Sequence, residues 1–230
     1  MKKNCLIVLN PREIKRCLDT IRSLEIDKLF MRGFCEPDLC RPIHDFINRT
    51  NYDNYLILSD DVIVDNSALK LVVELLEDCE AATGYCLVSQ EDPFVNITRS
   101  PLRRSIDYSP LLNDYDFYYK KEVESFVNPI FVTWFGGWCL TGFSRRLWLE
   151  NPFRIMPSGV QSDYATCISY GGKILCHRDA YVEHIKSGLN NECREGFLVG
   201  KINPEMIYEA YGRSSYLETR NYHKTFVELV

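Results

Sequence analysis

Two adjacent carboxylates, Asp60-Asp61, stand directly after the apolar run Tyr55-Leu56-Ile57-Leu58 and Ser59. Two carboxylates at the end of a buried strand are costly unless positive charge lies near them. A hard divalent cation meets that need, because Mg2+ and Mn2+ take oxygen ligands and bridge to phosphate oxygens. An acidic turn ahead of a helix uses the same residue types. A third carboxylate, Asp163, follows Ser162 in a helix-start pattern. There the helix dipole favours the anion, and a neighbouring hydroxyl would meet a general base. His184, in Tyr181-Val182-Glu183-His184, carries an imidazole able to complete the shell of an oxygen-held ion, although a single histidine near a strand end also serves structure alone. Trp134-Phe135-Gly136-Gly137-Trp138 pairs glycines, which allow close backbone approach, with indole faces on which sugar rings stack. A tight bend under an aromatic core has the same composition.

These residues need a scaffold that delivers them to one place, and the pattern of elements supplies one. Residues 5–9 form a continuous apolar run, as a strand buried on both faces requires. Asn10 then offers a helix cap, with Pro11 at the first helical position and Glu13 where a capping box places it. Ile14, Cys17, Leu18, Ile21 and Leu24 recur at helical spacing. A second strand over 28–31, a brief helix over 42–48 and a third strand over 55–59 follow. Asn66 or Ser67 caps the next helix, whose inner face carries Leu69, Val72, Val73 and Leu76, and residues 84–89 read as a further strand. Such alternation predicts an α/β fold with a mostly parallel central sheet and helices on both faces.

Residues 90–130 lack clear periodicity and are rich in Tyr, Asp, Arg and Pro, as functional loops often are. Order returns with a strand from Phe131, the Gly136-Gly137 turn and a short helix over 144–149. Ser162 caps a helix over 163–170 that Gly171-Gly172 stops, residues 173–176 and 181–184 are strand candidates, and a helix is expected over 204–211.

Composition narrows the function classes. At 230 residues, 46% hydrophobic and 26% charged, the chain can bury one good core. With 27 basic against 32 acidic side chains the net charge is −5, which argues against a nucleic-acid surface. The longest uncharged stretch, 125–144, is interrupted by Asn128, Pro129, Gly136 and Gly137 and reads as two buried segments, not a membrane span. No leader pattern precedes the first strand, so the expected location is cytoplasmic, with peripheral membrane contact at most. Ten cysteines without C-x-x-C or zinc-finger spacing read as reduced core thiols.

The order of the motifs carries more than any one of them. Strand-Asp60-Asp61, then Gly136-Gly137-Trp138, then Asp163 and then His184 resembles the GT-A (Rossmann-like) glycosyltransferases, above all their inverting family two, over residues 1–185. The resemblance implies that Asp61 and His184 hold Mn2+ or Mg2+, that Asp60 faces the donor's ribose, and that Asp163 is the catalytic base. The stretch Gly137-Trp138-Cys139-Leu140 with Arg145-Arg146-Leu147 looks like the family's floor beneath the acceptor, so Trp134, Gly137 and Trp138 are the expected acceptor contacts. Asn10, Arg12 and Arg41 are expected near the nucleotide. Two departures stand out: Met31-Arg32-Gly33 lacks the usual base-contacting carboxylate, and Ser162 replaces the glutamate that commonly precedes the base.

The expected organisation is one domain over 1–230, with a nucleotide-sugar and metal half (1–89), an acceptor and catalytic half (90–185) and a C-terminal extension (186–230). The implied partners are a nucleotide-sugar donor and a glycan, glycoprotein or glycolipid acceptor. Two rivals share parts of this pattern. A nucleotidyltransferase would use the same sheet and carboxylates but normally carries a Gly-rich basic loop after the first strand, where this chain has Leu9-Asn10-Pro11-Arg12. A non-catalytic module binding nucleotide sugar or glycan is the other.

Overall fold

The apolar runs become strands of one central sheet. The computed structural model describes residues 1–9, 14–32, 36–88, 93–102, 116–152, 162–185 and 226–229, of which 32, 36–41 and 226–229 are described by backbone alone. The elements are, in order, β1 (Asn4–Leu9), α1 (Lys15–Arg22), β2 (Asp27–Arg32), α2 (Glu36–Arg49), β3 (Asn54–Ser59), β4 (Val62–Ile63), α3 (Asn66–Asp78) and β5 (Ala81–Tyr85). They continue with β6 (Phe94–Thr98), β7 (Phe117–Tyr119), α4 (Lys120–Glu124), β8 (Ile130–Thr133), β9 (Cys139–Ser144) and α5 (Arg145–Glu150). The described chain then adds α6 (Ser162–Tyr170), β10 (Ile174–Tyr181), β11 (Glu183–His184) and β12 (Phe226–Leu229).

Eight strands form the main sheet in the order β12-β2-β1-β3-β9-β5-β10-β8. β1 is parallel to β2 and β3, and β5 is parallel to β10. β9 runs antiparallel to both β3 and β5, so β1, β2, β3, β5 and β10 share one direction. The edge strands β8 and β12 are antiparallel to their neighbours. The fold is therefore α/β with a mostly parallel central sheet, as expected, and the antiparallel β9 sits in its middle. Because β9, β10 and β8 lie beyond residue 89 yet interleave with or flank β3 and β5, the two expected halves share one sheet.

Alternate residues of each strand face opposite layers. Leu6, Val8, Leu56 and Leu58 pack with Ile14, Cys17, Leu18 and Ile21 around α1 and with Leu69, Val72 and Leu76 of α3. Cys5, Ile7, Tyr55 and Ile57 pack with Ile43 and Ile47 of α2, Leu147 and Trp148 of α5, and Tyr164, Cys167 and Ile168 of α6. Helices thus cover both faces, and each fully buried leucine or isoleucine contributes about 2 kcal/mol of hydrophobic stabilisation.

Several element boundaries differ from expectation for local reasons. α1 begins at Lys15 with Ile14 as an N-cap that makes no side-chain bond; Asn10, Pro11 and Glu13 lie outside the described residues. α3 is capped by Asp65, which accepts from Ala68 N at 2.8 Å, while the Asn66 side chain is occupied by Glu25 N at 2.8 Å. β5 comes three residues early, because Ala81-Ala82-Thr83 is fully buried against β9 and α3; burial decides here over strand propensity. α2 extends to 14 residues with Pro42 inside it. α6 stops as expected at Gly171, whose φ of 63° favours glycine. Within 90–130, β6 and β7 pair as an antiparallel ribbon followed by α4. The helix expected over 204–211 lies outside the described residues. No described helix is long and apolar enough to cross a membrane. All seven cysteines whose side chains are described are free.

Candidate functional site

The acidic pair sits at the carboxyl end of β3, pinned on two sides. Asp60 N donates to Leu9 O at 3.0 Å and Ser59 N to Trp138 O at 2.7 Å. The chain then turns into β4, which pairs antiparallel with β11 so that His184 lies opposite Val62. Ile185 N donates to Asp61 O at 2.8 Å, closing the same ribbon. This short pairing brings two residues 123 positions apart into contact: His184 Nε2 lies 2.8 Å from Asp61 Oδ2. The Asp61 side chain is 8% exposed and that of His184 21%, so the pair is shielded but reachable. Asp60 is fully enclosed at 0%, its carboxylate covered by protein and not presented at a surface.

The donor chemistry of this pair suits a divalent ion. A carboxylate oxygen and an imidazole nitrogen are both ligands that Mn2+ accepts. The observed 2.8 Å is the length of a direct hydrogen bond between the two side chains. Among the described residues no group of three or more His, Cys, Asp or Glu side chains could hold a metal. An ion held by Asp61 and His184 would need substrate oxygens or water for its remaining positions.

Asp163 occupies the first turn of α6 and is half-buried, its Oδ1 accepting from Tyr164 N at 2.7 Å. Its Oδ2 faces the glycine turn: a Cβ built on Gly137 would lie 3.4 Å from it and 2.5 Å from Asn96 Nδ2. Gly136 is just as crowded, with Thr83 Oγ1 at 2.5 Å and Thr141 Oγ1 at 2.7 Å from a built Cβ. The paired glycines thus meet a real need for close approach. Beneath them Cys167 Sγ reaches Gly136 O at 3.6 Å; burial pushes its thiol to about 12, and the Asp163 carboxylate adds to the rise.

Trp138 plays a different part from the one expected. It is 5% exposed, packs beside Trp148 with ring centroids 6.1 Å apart, and donates from Nε1 to Ser162 Oγ at 2.6 Å. An enclosed indole offers no face for a sugar, so Trp138 is corrected from acceptor contact to a brace between β9 and the start of α6. Trp134 is half-buried, and its N–H donates to Thr98 O at 3.4 Å. Asn10 and Arg12 lie outside the described residues, as does the side chain of Arg41. Arg99, from the basic stretch, is held by Asp116 at 2.8 Å and by Glu122, and its guanidinium lies 4.9 Å from the centre of the Tyr118 ring.

The turn is set by local backbone strain. Leu140, buried at 0%, has φ 134°, and the register between β3 and β9 slips there, from Ile57 opposite Thr141 to Leu58 opposite Cys139. A bulge of this kind bends a strand and re-aims its neighbours. Here it lets the Trp138 carbonyl meet Ser59 while the indole reaches Ser162. The acidic pair and Asp163 are thereby joined through one residue.

Sequence reasoning missed Asn96, which lies on β6 between Val95 and Ile97, both 0% exposed. Its Oδ1 accepts from Cys86 N at 2.8 Å and its Nδ2 donates to Cys139 Sγ at 3.0 Å. A polar residue alternating with buried aliphatic neighbours was the available signal.

No family model matches the chain, and no curated protein matches it. Among solved structures, it is similar to one described as the crystal structure of A197 from STIV, with 12% sequence identity and a TM-score of 0.47 over 81% of this chain and 87% of that one.

Proposed function

We propose that the chain is a metal-dependent glycosyltransferase that moves a sugar from a nucleoside-diphosphate sugar to an acceptor hydroxyl, with inversion. The observation that carries this reading is the 2.8 Å contact between His184 Nε2 and Asp61 Oδ2 at the carboxyl end of β3. In open α/β sheets ligands bind at that end. Asp61 and His184 would hold Mn2+ or Mg2+, which when bound neutralises charge on the departing diphosphate.

The protein's own groups supply the remainder. Asp163 Oδ2, over Gly137, takes the proton from the acceptor hydroxyl as its oxygen attacks the anomeric carbon from the face opposite the diphosphate. Gly137 lacks a Cβ, which leaves room there for the Asn96 amide. Trp138 holds Ser162, and with it the first turn of α6, at a fixed height above the sheet. The enclosed core beneath keeps water from the base on its inner side.

A thermal-shift screen of UDP-, GDP- and dTDP-sugars with and without Mn2+ tests this reading. A donor at 100 times its dissociation constant stabilises the fold by about 2.7 kcal/mol, a rise of several degrees. The rise should require Mn2+ and should be lost in Asp61→Asn and in His184→Ala. No stabilisation by any donor, or equal stabilisation in these variants, sinks the metal-dependent reading.

A further inference from the structure

We infer that Asn96 is the acceptor-positioning residue of the site, an assignment that rests on the glycosyltransferase reading above. Its Nδ2 and the Asp163 Oδ2 lie 2.5 and 3.4 Å from one point, the place a Cβ on Gly137 would occupy. The two atoms are therefore at most 2.5 + 3.4 = 5.9 Å apart. A single hydroxyl oxygen with hydrogen bonds of about 2.9 Å to both would bridge them at any separation up to about 5.8 Å. Asn96 and Asp163 are half-buried, whereas Gly137 is buried.

The amide is fixed in this orientation. Cys86 N donates to its Oδ1 at 2.8 Å, which identifies the other atom as the nitrogen. One of the two Nδ2 protons goes to Cys139 Sγ at 3.0 Å. The same nitrogen lies 2.5 Å from the place a Cβ on Gly137 would occupy, and Asp163 Oδ2 lies 3.4 Å from that place. The amide donates to the lone pair of the incoming hydroxyl and the carboxylate accepts its proton. That division of labour orients the oxygen's remaining lone pair for attack. The site thus selects an acceptor by one neutral donor and one anionic acceptor, the pattern that fits a sugar hydroxyl and disfavours a carboxylate or phosphate nucleophile.

The test is Asn96→Asp, nearly isosteric, which retains the Oδ1 acceptor for Cys86 N but replaces the N–H donor with a charged carboxylate oxygen; Asn96→Ala removes the donor without adding charge, at the cost of the Cys86 N acceptor as well. Transfer from UDP-, GDP- or dTDP-sugars to p-nitrophenyl glycosides is measured beside hydrolysis of the same donor and the donor-dependent thermal shift. Expected is a fall of about tenfold or more in kcat/KM for the glycoside with donor stabilisation unchanged; hydrolysis falls too, because a water oxygen takes the same two hydrogen bonds. A role confined to folding would lower all three readouts together and overturns the assignment, as does unchanged glycoside kinetics in both variants. If the unsubstituted chain neither binds nor hydrolyses any donor, the glycosyltransferase reading fails first and Asn96 loses its role with it.

Discussion

The indole Nε1 of Trp138 donates to the Oγ of Ser162 over 2.6 Å, and Ser162 immediately precedes Asp163. The carbonyl of the same tryptophan accepts from Ser59 N at 2.7 Å, one residue before Asp60. One buried residue, through its indole and its carbonyl, therefore ties the helix bearing the proposed base to the strand bearing the acidic pair.

Breaking that tie should separate stability from turnover. Trp138→Phe keeps most of the packing but removes the Nε1 donor and leaves Ser162 buried without it. Unfolding stability should fall by about 1 kcal/mol. The kcat for transfer should fall further than that loss explains, because α6 is less firmly placed, while the donor thermal shift stays. Unchanged kcat would show that the brace is not used.

Asp163→Asn should retain metal-dependent donor stabilisation and lose transfer by a factor on the order of 10^2 to 10^4, the usual worth of a general base. Normal turnover by this variant would remove Asp163 from that role.

The two neighbouring glycines should respond differently to the same methyl group. A Cβ on Gly136 would meet Thr83 Oγ1 at 2.5 Å and Thr83 Cβ at 2.9 Å, and both atoms belong to a stiff, fully buried β-branched side chain. Gly136→Ala should cost about 1–3 kcal/mol by overpacking. On Gly137 the close atom is Asn96 Nδ2, the far end of a side chain that reaches solvent. Gly137→Ala should therefore displace Asn96, cost only about 1 kcal/mol through the hydrogen bonds it loosens, and reduce transfer. Chemical denaturation beside an activity assay distinguishes the two outcomes.

The buried thiols set an alkaline limit. Burial raises Cys5 and Cys167 from 9.0 to about 12. A pKa raised on folding contributes stability that is fully present below the unfolded value and is lost as pH rises toward the folded one. Stability should thus decline between pH 9 and 12. At pH near 8 a thiol reagent should modify these cysteines only after unfolding. Rapid modification at Cys5 or Cys167 in the folded chain, located by peptide mapping, would contradict the burial.

Much of the scaffold was legible because strands and amphipathic helices write their period into the chain. Residues 5–9 and 55–59 could only be strands buried on both faces, and Leu69, Val72 and Leu76 could only mark the inner face of a helix. Asp60-Asp61 and Asp163 were visible for a related reason: carboxylates at the end of a buried strand and the start of a helix are placements that need an electrostatic explanation. What the chain could not announce was anything that depends on two distant segments meeting. The reversal of β9 between β3 and β5, the approach of His184 to Asp61, the enclosure of Trp138 and the place of Asn96 above Gly137 all arise from pairing across tens of residues. Local periodicity encodes which face of an element is buried, but the partner that buries it is chosen by packing the whole set of elements at once, and only the assembled sheet made that choice.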